Sequence, residues 1–160
     1  MKTFDKVVFV GTANTAMSAM AEAILQDLFK LEDILVESRG LVVLFPEPVN
    51  PKAEAVLVSN GLSMKDHESR PLVKDDFDTR TLILTMDQTQ KEKLQRTFDG
   101  QWINVYTLTE YVGTAFEVKS PYGGSVSDYG KCFDQLQVVV KALAEKLMQD
   151  DKPGTFQEDS

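Results

Sequence analysis

Cysteine and histidine are almost missing from this sequence: it holds one of each, Cys132 and His67. A single thiol excludes an intrachain disulfide framework and a cysteine-based zinc site. No second imidazole or thiol can join His67 on a metal. A structural hydrogen-bonding role is expected for His67, and a packing role for Cys132 on the apolar side of the last helical pattern. Long apolar runs are missing too. No stretch approaches the about 18 apolar residues that a membrane span needs, and the opening MKTFDKVVFV is too short in apolar residues for a signal peptide. Positive charge is scarce: 17 Lys and Arg stand against 25 Asp and Glu, a net charge of -8. Such a chain repels phosphate backbones and anionic lipid. The expectations are therefore no nucleic acid, no membrane, no metal, no cofactor and a cytoplasmic location.

What is there reads as an alternating α/β chain. The 160 residues suggest one domain, spanning 1–149, followed by a polar tail at 150–160 with the composition of a disordered segment. Residues 6–10, 34–37, 81–85 and 103–106 are short, β-branched and apolar, as buried strands are. Between them lie helical patterns. Met20, Ala21, Ile24, Leu25, Leu28 and Phe29 form one apolar stripe. Pro51 opens a second helix, with Ala53, Val56 and Leu57 on its stripe. Asp87 is placed to cap a third. Tyr129, Cys132, Leu136, Val139, Val140, Leu143 and Leu147 stripe the last. This alternation predicts a parallel sheet covered on both faces, with the ligand site beyond the carboxyl ends of the strands, at the loops after Val10, Ser38, Met86 and Tyr106. The acidic run KDDFD at 74–78 is expected to be a solvated surface.

The stretch FVGTANTAMSAMAE, residues 9–22, runs from an apolar strand through small polar residues into a helix. That shape suits an anion at a helix start. Yet it contains no cysteine, lysine or arginine. Four further segments follow in order: ESRGL; VNPKAEAVLVSNGLSMKDHESRPL; LILTMD; and SPYGGSVSDYGKC. Over roughly residues 5–148 the chain resembles the low-molecular-weight protein tyrosine phosphatases. The resemblance implies a three-layer α/β sandwich with a four-stranded parallel sheet, of the phosphotyrosine protein phosphatase I type. It also implies a phosphate-binding loop at Thr12, Ala13, Asn14, Thr15, Ala16 and Ser18. Asn14, Ser18, Ser38 and His67 would brace that loop by hydrogen bonds, and Leu44, Phe45, Pro46 and Tyr122 would wall the cleft above it.

The departures fall on the chemistry. Gly11 stands where the family has its nucleophilic cysteine, Met17 where it has the phosphate-binding arginine, and Ser120 where it has the aspartic acid that protonates the leaving group. Losing a nucleophile that acts within a unit costs about 10⁶ in rate. Thr12 and Thr15 have no base to activate them. Methionine cannot fork two hydrogen bonds to an oxyanion, and a missing general acid costs about 10²–10⁴. The family glycine position is Ala13; a methyl group there would strain the loop if φ were positive. These departures lead to the expectation of a catalytically inactive homologue that binds a protein or phosphoprotein and holds oxyanions weakly. The alternatives are an active phosphatase with a displaced nucleophile and a small-anion sensor. A cysteine-dependent arsenate reductase of the same fold does not suit a loop without cysteine.

Overall fold

The computed structural model describes residues 3–29, 33–100 and 102–151; the tail expected at 150–160 lies outside them from residue 152 on. Strands β1 (Lys6–Gly11), β2 (Leu35–Gly40), β3 (Thr81–Thr85) and β4 (Val105–Thr107) form one sheet in the order β2-β1-β3-β4. All three pairings are parallel. Helices α1 (Met17–Leu28), α2 (Pro51–Ser59), α3 (Gln88–Thr97), α4 (Leu108–Val112) and α5 (Val126–Asp151) connect and cover it.

The two faces follow from the two-residue period of a strand. Val7, Phe9, Leu82 and Leu84 point into the larger core, shared with Met20, Leu25, Leu57, Phe133 and Leu136 of α1, α2 and α5. Val8, Val10, Ile83 and Val105 point the other way, against Leu94 of α3 and against Leu72 from the segment before β3. Both sides of β1 and β3 are dry, so these strands read as continuous apolar runs.

Two strand boundaries and one stripe residue differ from the sequence reading. The second strand was expected at 34–37, but β2 continues through Ser38 and Arg39 to Gly40, because β1 offers ladder partners as far as Gly11. The fourth strand was expected at 103–106, but Asn104 has φ 55°, a left-handed conformation that no strand residue holds, so pairing begins at Val105. Leu28, placed on the stripe of α1, is 45% exposed. The acidic run also departs from a purely solvated face. Asp76 is buried, accepts a bond from Val73 N at 2.8 Å and lies 3.5 Å from Arg39 Nε.

Helix starts carry the capping residues that orphan amides require. Asn50 accepts from Lys52 N and Ala53 N before Pro51, Asp87 accepts from Gln90 N, and Thr107 accepts from Glu110 N. Asp128 N donates to Ser125 Oγ at 3.2 Å at the start of α5. Helix α1 differs: Ala16 precedes it and no side chain caps it.

The burial pattern sets two outcomes apart. Leu136→Ala removes a side chain with 0% exposure and is expected to cost about 2–5 kcal/mol in urea unfolding. Leu28→Ala is expected to cost less than about 1 kcal/mol.

Candidate functional site

The loop between β1 and α1 is held from outside by its carbonyl oxygens. Gly11 O accepts from Leu41 N at 3.0 Å, Thr12 O from Val42 N at 2.8 Å, and Thr15 O from Asn50 N at 2.7 Å. Asn14 O lies 2.7 Å from His67 Nε2, which must carry the proton because a carbonyl only accepts. In a trans peptide the N–H points opposite to the C=O. With these carbonyls turned outward, the loop amides turn toward the cleft, and the uncapped start of α1 adds its own. The result is a cradle of backbone amides.

Asn14 organises that loop. It is 1% exposed, and its φ of 61° is a left-handed conformation that asparagine tolerates better than most residues. One amide hydrogen goes to Ser18 Oγ at 3.1 Å and the other to Ser38 Oγ at 2.8 Å. Its Oδ1 accepts from Arg70 N at 3.0 Å. Ser38 Oγ in turn donates to Glu22 Oε1 at 2.5 Å. The structure thus joins Asn14, Ser18, Ser38 and His67, and adds Glu22 and the Arg70 backbone, which motif spacing did not single out. Gly40 makes this approach possible. A Cβ there would meet Val43 Cγ2 at 2.6 Å, with Asn14 Cβ and Thr12 O both at 3.0 Å.

The cleft above the loop has a volume of about 510 Å³. Gly11, Thr12, Ala13, Asn14, Thr15, Ala16, Met17 and Ser18 form its floor, and Ser120, Pro121 and Tyr122 form one wall. Two expectations are corrected here. Leu44, Phe45 and Pro46 do not line this cleft; Leu44 is 89% and Phe45 64% exposed, because their loop projects into solvent, and Val42 takes the wall position instead. Ala13 does not have a positive φ; the left-handed residue is Asn14, so no methyl strain arises at position 13. Asn50, Gln90 and Tyr129 also line the cleft. Their signals were a helix cap, a capping-box partner and an apolar-stripe aromatic, each of which local structure explains by itself. No residue of the segment directly after β4 reaches it.

Gly11 and Ser18 are in close register. A Cβ at position 11 would meet Ser18 Oγ at 3.0 Å and Ser18 Cβ at 3.3 Å. The oxygen of Ser18 therefore sits beneath the position that a side chain at 11 would fill. None of the described residues lining the cleft is charged. The titratable groups lie behind it. Burial pushes the Glu22 carboxyl above the ordinary range, against the hydrogen bond from Ser38 and the field of His67. Cys132 is buried on α5 and its thiol is pushed up to about 12 by burial, consistent with packing. Among the described residues, no group of three or more His, Cys, Asp or Glu is placed to hold a metal. No helix among them is long and apolar enough to cross a membrane.

Two outcomes follow from this geometry. A carboxyl whose folded-state pKa is raised favours the native state while protonated, and that contribution is lost as pH rises through the raised value. Glu22→Gln keeps an acceptor for Ser38 without the charge, so its stability relative to the parent is expected to improve from pH 4 to pH 8 in urea titrations. Gly11→Cys with Met17→Arg restores a thiol over Ser18 and a guanidinium at the cradle rim. Calorimetry is expected to show vanadate binding at least about tenfold tighter than in the parent.

The family model for low molecular weight phosphotyrosine protein phosphatase matches residues 6–153. A protein-arginine-phosphatase of Bacillus subtilis is 32% identical over 148 residues, covering 90% of this chain and 97% of the relative. The low molecular weight protein-tyrosine-phosphatase PtpB of Staphylococcus haemolyticus is 32% identical, covering 86% and 96%. A solved structure of the YwlE arginine phosphatase, a cysteine-to-serine mutant with a phosphorylated active site serine, superposes with a TM-score of 0.83 at 31% identity, covering 91% of this chain and 97% of that one. These relatives overturn the expectation of a catalytically inactive, binding-only homologue. Proteins similar over nearly their whole length are named as phosphatases, and they favour the alternative of an active phosphatase. By sequence and by fold alike, the chain belongs to the low molecular weight phosphotyrosine protein phosphatase family.

Proposed function

We propose that this chain removes phosphate from phosphorylated protein side chains in the cleft over residues 11–18, with the nucleophile displaced from position 11 to the Ser18 hydroxyl. The observation that carries this reading is the 3.0 Å between Ser18 Oγ and the Cβ position of residue 11. The backbone cradle supports it, since inward amides at a helix start stabilise charge on a transferring phosphoryl group. So do the names of the relatives, an arginine phosphatase and a tyrosine phosphatase. In the cysteine-to-serine mutant of the YwlE arginine phosphatase an active site serine carries phosphate, so a hydroxyl oxygen is a competent phosphoryl acceptor in that mutant.

In the first step the Ser18 oxygen bonds to phosphorus as the bond to the leaving oxygen or nitrogen breaks. The Ser18 proton passes to a non-bridging phosphoryl oxygen, because no base among the described residues contacts the hydroxyl. The leaving group takes its proton from solvent, since Ser120 is no acid. Water then attacks phosphorus, and the Ser18 oxygen recovers a proton. Asn14 fixes the Ser18 side chain throughout. An unactivated hydroxyl in place of a thiolate costs up to about 10⁶, and the missing general acid about 10²–10⁴. Turnover is therefore slow.

The experiment is phosphate release from phosphotyrosine and phosphoarginine peptides, with mass spectrometry of the quenched protein. The expected result is slow release, phosphate on Ser18, and loss of both in Ser18→Ala. No release above a heat-denatured control overturns the reading. So does release that persists in a folded Ser18→Ala variant.

A further inference from the structure

A second cavity of about 400 Å³ lies across the Ser120–Pro121–Tyr122 wall from the cleft and shares those three residues with it. Lys119, Gly124, Asp128, Lys131, Cys132 and Gln135 complete its lining. The two lysines are exposed, on opposite sides of the turn before α5. The single carboxylate among them, Asp128, stays charged: the bonds from Ser125 hold its pKa below the ordinary value, and the fields of Lys131 and Lys119 add to this. Asp128 Oδ2 accepts from Ser125 N at 2.9 Å and from Ser125 Oγ at 3.1 Å, as the closing half of the α5 cap. Two lysines against one carboxylate leave the cavity net positive on a chain whose net charge is -8, while the described residues lining the adjoining cleft carry no charge.

We propose that this cavity is a subsite for an acidic side chain next to the phosphorylated residue, with Lys119 and Lys131 as its recognition charges; the inference rests on the phosphoprotein reading of the cleft. An anionic substrate needs cations somewhere in its path, and position 17 offers a thioether where a guanidinium would face the phosphate. The shared wall sets the two cavities side by side. A peptide seated with its phosphorylated residue over the loop passes the Tyr122 ridge, which is 92% exposed, and presents its neighbour to the lysines. Attraction between exposed charges is modest and salt-sensitive, so the subsite selects among peptides without holding one alone.

The test is calorimetry at low salt with three phosphotyrosine peptides that differ only in flanking residues: glutamate, alanine or lysine. The glutamate peptide is expected to bind about three- to tenfold tighter than the alanine peptide, and the lysine peptide more weakly. In the Lys119→Glu, Lys131→Glu double variant the order is expected to reverse. Lys141→Glu makes the same kind of charge change about 15 Å further along α5 and is expected to keep the parent order. Equal affinity for the glutamate and alanine peptides overturns the subsite and leaves the cleft reading standing. A preference unchanged in the double variant also overturns it. Failure of all three peptides to bind overturns the subsite together with the cleft reading.

Discussion

Asn14 is the side chain on which the site depends. Four groups converge on it: the hydroxyls of Ser18 and Ser38, the Arg70 amide and the His67 imidazole. Its left-handed φ turns the chain so that the loop carbonyls meet donors outside the cleft. An amide group suits this position because it donates twice and accepts once at the same time. A carboxylate would lose both donors, and a hydroxyl would reach too few partners. The network is nearly dry, so each unmade bond would cost a buried polar group its partner.

The cradle geometry is separable from the residues that act on phosphate. The outward carbonyl bonds are to Leu41, Val42 and Asn50, which belong to the loop after β2 and the start of α2. Gly40 admits the close approach of that loop. None of these partners is the nucleophile, the cation or the acid of the family. The loop therefore keeps its shape in a chain with Gly11, Met17 and Ser120. Electrostatics change instead. A backbone cradle without a guanidinium retains partial positive charge from its amides but no full one, and Lys119 and Lys131 line the cavity beyond the Ser120–Tyr122 wall.

Much of this was legible in the sequence. Apolar β-branched runs with amphipathic stretches between them determined a parallel sheet buried on both faces, because no other arrangement hides those runs from water. Motif order determined the family, and residue identity alone determined that positions 11, 17 and 120 carry no thiol, guanidinium or carboxyl. The tertiary structure decided what depends on distance and on dihedral angle. It placed Ser18 Oγ under position 11, gave the positive φ to Asn14 rather than Ala13, and left Leu44 and Phe45 in solvent while Val42 took the wall. It brought Glu22 to Ser38 and set Lys119 and Lys131 around one cavity, across gaps in sequence that no local pattern records. Periodicity reports which face a residue occupies; only the packed chain decides which atoms meet, because contact is set by the path of the backbone between them.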